Sequence, residues 1–208
     1  MSAPIAAAAS VLPATPLVWR LTLLMALALT ALTAADIATT LVALRNGGIE
    51  LNNHVSDGKG GLDIGKLVLV NLAVLSPLVI GYFIAMRKAH HVPGPVLDHW
   101  WRHVFDIFTV SPRSDAGRSR APLRLATAAM VMIVLKALIV GSNVLVALRI
   151  QNPTSLIADM FSAAGLSGPG LWKAAYAVLI IPCYIAAVGL AALTLTAVQR
   201  ERTVKAVA

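Results

Sequence analysis

The chain has 208 residues, of which 58% are hydrophobic and only 12% charged. Soluble domains carry about one quarter charged residues, so this composition excludes an ordinary water-solvated domain and makes the bilayer the main solvent. The net charge of +8 does not point to nucleic acid. The basic residues sit at the ends of long apolar runs with no basic module between them, which is the positive-inside arrangement of membrane proteins.

Residues 1–16 are rich in Ala, Ser and Pro, carry no charged side chain and read as a flexible tail. The first apolar run, Leu17 to Leu44, is interrupted by Arg20 near its start and Asp36 well inside. Arg20, the leucine-rich stretch from Leu21 to Leu32 and the small residues Thr33, Ala34 and Ala35 imitate a signal peptide. The apolar pattern resumes at Ile37 and continues to Leu44, so the segment is expected to remain as a spanning helix. The second run is Leu67 to Met86, and residues 17–87 are expected to form a first transmembrane hairpin.

A connection over residues 88–122 follows. Pro93 and Pro95 precede one amphipathic helix, predicted over residues 96–108. Val96, Leu97, Trp100, Trp101, Val104, Phe105, Ile107 and Phe108 share one half of its wheel. Asp98, His99, Arg102, His103 and Asp106 take the other. Paired tryptophans opposite a charged face describe a helix lying in the headgroup layer. Ser111 to Arg120 reads as a basic linker with no apolar face. His99 and His103 are one helical turn apart, with Asp106 beyond them. That spacing could hold a metal, but no fourth ligand is evident, and imidazoles among headgroups are the plainer reading.

The third run, Leu123 to Ile150, carries Arg124 at its start and Lys136 inside. The fourth, Leu171 to Val198, holds Lys173 and the single cysteine, Cys183, expected as a packed thiol. Residues 123–198 are the expected second hairpin and 199–208 a tail. Each run reaches the ~20 residues needed to cross ~30 Å of hydrocarbon. Arg87, Lys88, Arg102, Arg113, Arg118, Arg120 and Arg124 crowd the middle connection, and Arg200, Arg202 and Lys205 the C-terminal tail. The middle connection and both termini are therefore predicted to be cytoplasmic, with the chain in a bacterial inner membrane. Leu41-Val-Ala-Leu-Arg45 recurs as Leu145-Val-Ala-Leu-Arg149, and Ala73-Val-Leu75 recurs at the same offset as Ala177-Val-Leu179, each followed by a proline, Pro77 or Pro182. The predicted fold is an all-α integral membrane protein. It is a four-transmembrane-helix bundle, readable as two tandem helical hairpins, plus one cytoplasmic interfacial amphipathic helix.

Asp36 is the first candidate for chemistry. A carboxylate in a spanning helix is costly and usually faces the bundle interior. It lies roughly 24 Å above Arg20 along a helix, with Thr33 and Thr40 on its face. Lys136 lies roughly 18 Å above Arg124. A buried charge wants a partner, so the first and third helices are predicted to face each other with Asp36 and Lys136 between them. Asn143 and Asn71 should lie near the level of Asp36. The outer loop after the first helix adds Glu50, Asn52 and Asn53 behind Gly47 and Gly48, an acidic and amide-rich rim or an ordinary polar turn.

The stretch Asp36-x3-Thr40…Gly47-Gly48-x-Glu50-x-Asn52 resembles a family of small bacterial and archaeal four-helix membrane proteins known as a domain of unknown function. That family's pattern ends in Glu-x-Asn-Pro, whereas Asn53 stands here in place of the proline. The resemblance covers roughly residues 30–87. It implies a four-helix fold and no agreed activity, and it groups Asp36, Thr40, Glu50 and Asn52.

Stripes of small residues occur at Ala26, Thr30, Ala34 and Ala38, at Ala137 and Gly141, and at Ala187 and Ala191. They let helices approach closely, within the chain or against another subunit. No nucleotide, hydrolase or cysteine motif is found, so no cofactor and no metal are expected. The expected partners are the lipid bilayer and other membrane subunits. The leading expectation is a non-enzymatic accessory or transport-type component with Asp36, Thr40, Glu50, Asn52 and Lys136 as its polar site. The alternatives are a membrane enzyme acting on a lipid or lipid-linked substrate and a purely structural subunit.

Overall fold

The computed structural model describes residues 13–45 and 63–207. Glu50, Asn52 and Asn53 lie outside the described residues. Seven α-helices are present among them: α1 (Pro16–Arg45), α2 (Ile64–Arg87), α3 (Trp100–Thr109), α4 (Asp115–Ser119), α5 (Ala121–Ala147), α6 (Pro153–Ala163) and α7 (Pro169–Val207). Short 3-10 turns at Ala89–His91 and Val96–His99 lead into α3. Four of these helices are long and apolar enough to cross a membrane, over Pro16–Val42, Ile64–Arg87, Ala121–Ala147 and Lys173–Ala206. They overlap the four apolar runs, the third of which outlasts its helix by the residues from Leu148 to Ile150.

Their starts follow from local chemistry. Pro16 opens α1, its preset φ matching the first helical turn and its missing N–H costing nothing there. The Thr15 hydroxyl accepts from the Val18 N–H at 3.4 Å. Asp63 caps α2 by accepting from the Lys66 N–H at 3.0 Å, which holds its carboxyl below the ordinary range. Pro122 sits in the first turn of α5. That helix closes with Arg149 in the left-handed region at φ 58°. The Ile150 N–H then reaches the Leu145 carbonyl at 2.8 Å and the Arg149 N–H reaches Val146 at 3.0 Å. This is a Schellman closure, built with arginine where glycine is the usual choice.

α5 is the hub, packing against α1, α2 and α7. The apolar core gathers at one end of the bundle. It joins Val18, Met25 and Leu29 of α1, Tyr82, Ala85 and Met86 of α2, Leu123, Ala126 and Ala129 of α5, and Ala191, Leu195 and Val198 of α7. The chain ends meet there too. Thr15 donates to Glu201, and the Gln199 amide donates to the Ala89 and Val92 carbonyls at 3.0 and 2.9 Å. The beginning of α1, the end of α7 and the middle connection thus share one end of the molecule.

Three features go beyond the sequence reading. Residues 199–207, expected as a tail, continue α7. The segment Gln199-Arg-Glu-Arg-Thr-Val-Lys205 is rich in helix formers, and Lys205 pairs with Glu201 at 2.9 Å one turn back. The linker 111–120 contains a helical turn, α4, capped by Ser114, which accepts from the Gly117 N–H at 3.0 Å. A Cβ on Gly117 would stand 1.9 Å from the Ser111 carbonyl oxygen, so only glycine permits this turn to fold back on Ser111.

The third concerns α3, expected as an amphipathic helix in the headgroup layer, and is the surface on which it docks. The Leu97 N–H donates to Thr196 Oγ1 at 2.9 Å. The Trp100 ring lies against Gly189, the Tyr184 hydroxyl donates to the Val104 carbonyl at 3.0 Å, and Phe108 meets the Tyr184 ring at 5.2 Å. Numbers rise along α3 as they fall along α7, so the two run antiparallel, side by side, over about 18 Å of α7. The wide apolar arc of α3 serves two surfaces. Val96, Trp100 and Val104 face α7, while Trp101, Phe105 and Phe108 stay exposed.

Of the small-residue stripes, only Ala187 and Ala191 of α7 are buried. Thr30, Ala34, Ala38, Ala137 and Gly141 are exposed on the bundle surface. Cys183 is buried with a free thiol.

Candidate functional site

α1 presents one face to its neighbours. Val18, Thr22, Met25, Leu29 and Thr33 are buried along it, spaced three or four residues apart as a helical face requires. Continuing that face brings Asp36 and then Thr40 inward, above the apolar core. On α5 the face that buries Leu123, Ala126, Ala129 and Met130 continues to Lys136, which is only 6% exposed.

The two charges meet as the sequence led us to expect. Lys136 Nζ lies 3.0 Å from Asp36 Oδ2. The other carboxylate oxygen, Oδ1, accepts from the Thr40 hydroxyl at 3.4 Å. Thr40 in turn accepts from the Asn143 amide at 3.0 Å, and Thr39 accepts from the same amide at 3.4 Å. A line of polar contacts therefore runs Lys136, Asp36, Thr40, Asn143. It crosses the α1–α5 interface twice and joins an ion pair to an amide about two turns higher. A desolvated pair of this kind is stable only when its remaining lone pairs and protons also find partners, and here the Thr40 hydroxyl provides one on the carboxylate side.

The other residues singled out from the sequence are not drawn in. Asn71 donates to the Leu67 carbonyl of its own helix at 2.8 Å. The Thr33 hydroxyl is buried and makes no hydrogen bond, so it borders the network without belonging to it. Lys66 pairs with Asp63 at 3.4 Å at the opposite end from the core. Glu50 and Asn52 lie outside the described residues.

Asn143 also lines a cavity of about 300 Å³ between α5, α6 and α7. Its walls are mainly apolar, with Leu138, Ile139, Leu179 and Ile180, and its polar groups come from Ser142, Asn143, Thr154 and Tyr176. Thr154 belongs to α6, a helix the sequence reading did not place. The signal was present in Asn152-Pro153-Thr154-Ser155. Asn152 accepts from the Ser155 N–H at 2.8 Å and Ser155 accepts from the Asn152 N–H at 3.1 Å, a reciprocal cap with proline at the first helical position.

A second polar cluster lies on α3. His103 is buried, with Nδ1 3.5 Å from Asp106 Oδ2, and Arg120 reaches the same carboxylate oxygen at 3.2 Å. Burial holds the imidazole below its ordinary value of 6.5, with Asp106 opposing and Arg120 and His99 adding to that effect.

Among the described residues, no three His, Cys, Asp or Glu side chains converge in a way that would hold a metal ion. Compared with family models, curated proteins and solved structures, the chain matches none.

Proposed function

We propose that the chain is a multi-pass inner-membrane protein of the transport or accessory type, with the Asp36–Lys136 network as its working site. The observation that carries this reading is the continuity of that network with the cavity. The Lys136–Asp36 pair at 3.0 Å connects through Thr40 and Asn143 to an apolar space of about 300 Å³. Paired charges inside spanning helices mark ion, proton or substrate routes in membrane proteins. An apolar pocket with a few convergent polar groups is the usual form of a small-molecule site. Asp36 is the key ionisable group in this reading, Lys136 its counter-charge, and Thr40 the group that links it to Asn143. Glu50 and Asn52, grouped with Asp36 by the family resemblance, are its helpers from the segment that follows α1 in sequence. The end rich in arginine is cytoplasmic by the positive-inside rule, so the network sits in the outer half of the bilayer.

A second reading is favoured by the closure of the network: each Asp36 oxygen already has a partner, as a purely structural pair would require. Two variants separate the readings, D36N and the double variant D36N/K136M, each purified in detergent and reconstituted in proteoliposomes. Under both readings D36N melts lower by the ~3–5 kcal/mol of an orphaned buried charge, and the double variant recovers most of that loss. Under the working-site reading, proton or cation flux into the vesicles is present for the native chain and absent for the stable double variant. Equal flux in native and double-variant vesicles would leave only the structural pair.

A further inference from the structure

No charged side chain lines the cavity of about 300 Å³ between α5, α6 and α7, and its polar groups behave unlike others in the chain. Thr22, Thr30, Thr39, Ser76 and Thr194 each donate to a carbonyl of their own helix, the usual way for a helical hydroxyl to find a partner away from water. Ser142 and Thr154 do not. Thr154 is only 4% exposed and lines the cavity, and among the described residues nothing hydrogen-bonds to its hydroxyl. Asn143 completes the set. Thr40 gives its proton to Asp36 and Thr39 gives its own to backbone carbonyls. Both threonines therefore accept from Asn143, which fixes its nitrogen as the donor and leaves Oδ1 as an acceptor. No described residue donates to that oxygen.

Polar groups without partners are costly away from water, so a ligand that matches them gains by doing so. The match needs a donor for Asn143 Oδ1 and an acceptor for Thr154 or Ser142, and a hydroxyl is both. An ester or ketone lacks the donor. A carboxylate, phosphate or ammonium would enter with no counter-charge in the wall. The position indicates the source. Residues 135–143 and 176–180 fall inside the spans of α5 and α7, and Ile139, Tyr176 and Ile180 are exposed, so the cavity opens between spans towards hydrocarbon. Its volume is about twice the ~150 Å³ that holds one benzene, which suits one alkyl chain and not two.

We propose that this cavity binds an uncharged, single-chain lipid alcohol drawn from the bilayer. Its hydroxyl donates to Asn143 Oδ1 and accepts from Thr154 or Ser142, and its chain lies along the apolar wall. The proposal rests on the reading of the cavity as part of the working site and names the ligand class of that site.

The test uses the full chain in phosphatidylcholine nanodiscs, because many detergents are themselves uncharged and hydroxyl-bearing. The probe is 1-dodecanol carrying a photoactivatable diazirine, with cross-links located by mass spectrometry. Unlabelled 1-dodecanol, dodecyl acetate and dodecyl sulfate compete with it. Cross-links should fall on α5, α6 and α7 around the cavity. 1-Dodecanol should compete about fivefold better than dodecyl acetate, the worth of one neutral hydrogen bond, and better still than dodecyl sulfate. Thr154→Val keeps the shape, removes the hydroxyl and should lower the affinity for 1-dodecanol about fivefold. Leu179→Trp fills the cavity and should abolish cross-linking there, while Ser76→Ala, on the exposed face of α2, should change nothing. The proposal is overturned if dodecyl acetate or dodecyl sulfate competes as well as 1-dodecanol, or if T154V binds as the native chain does. Should T154V fail to fold, the order of the competitors on the native chain decides, since it needs no variant. Flux is followed in parallel. Equal flux in native and D36N/K136M vesicles, with selective alcohol binding, would remove the network reading and keep the alcohol site. Flux lost in the double variant, with no preference for the alcohol, would remove the alcohol site alone.

Discussion

Single residues carry opposite kinds of strain in this molecule. Asp36 and Lys136 are charges in a place that penalises charge, and each is tolerable only because of the other. Arg149 is a different case, a side chain in a backbone region that penalises side chains. Its left-handed conformation costs about 1 kcal/mol that glycine would not incur. Arg149 is exposed, so its removal leaves no hole. Arg149→Gly is therefore expected to stabilise the chain by roughly 1 kcal/mol, read as a higher melting temperature in detergent. A lower one would mean that the arginine side chain makes a contact worth more than the strain. The charges were legible in the sequence because a carboxylate and an ammonium in apolar runs stand out against their neighbours. Thr39 and Ser142 were not. A hydroxyl in a spanning helix can satisfy itself on its own backbone, as Thr39 also does on Ala35 at 2.8 Å. Its sequence therefore carries no sign of a longer-range partner.

Among the helices, α3 shows where pattern ceases to determine placement. A wide apolar arc with two tryptophans fits a helix floating among headgroups, and it fits equally a helix docked on another and exposed on its far side. The docking is made by contacts at long sequence separation, Leu97 with Thr196 and Val104 with Tyr184, which no local periodicity encodes. Docking buries His103 against Asp106 and Arg120, and this makes the element sensitive to acid. The folded imidazole has a pKa below 6.5, so below 6.5 the unfolded chain binds the proton more readily than the folded one. The contribution of His103 to stability is full above that value and is lost as the pH falls through the folded pKa. His90 acts in the same sense, its imidazole held down by burial and by the His91 and Arg202 charges. Between about pH 7.5 and about pH 5.5 the melting temperature should fall, and the fall should be smaller in His103→Gln. An unchanged slope in that variant would remove His103 from the account. The long spans themselves were read from the sequence to within a few residues at most ends, because lipid imposes length and apolarity together. The helical continuation over residues 199–207 escaped that reading because it is polar, and its helicity comes from propensity and pairing instead of from apolar content.

For the molecule as a whole, the position of α5 matters most. It packs against α1, α2 and α7, so the bundle is organised around its third long helix. The first two spans have little to complete their packing until that helix exists. The ion pair states the same fact in sharper form, since Lys136 follows Asp36 by 100 residues. At a synthesis rate of about 5–20 residues per second, the acid waits some 5–20 seconds in its helix before its base is made. Through that interval α1 carries an uncompensated carboxylate, worth about 2.5–3.5 kcal/mol against insertion near a helix centre. The leucine-rich stretch before it, from Leu21 to Leu32, is the driving force that must hold the helix in place meanwhile. Chains truncated after α2 should therefore insert α1 less completely than full chains do, and D36N should abolish that difference, as measured by glycosylation mapping of the two ends of the helix. If truncated and full chains insert alike, the waiting acid is no obstacle. If they differ, the order in which this protein is made is itself a constraint on where its charges can stand.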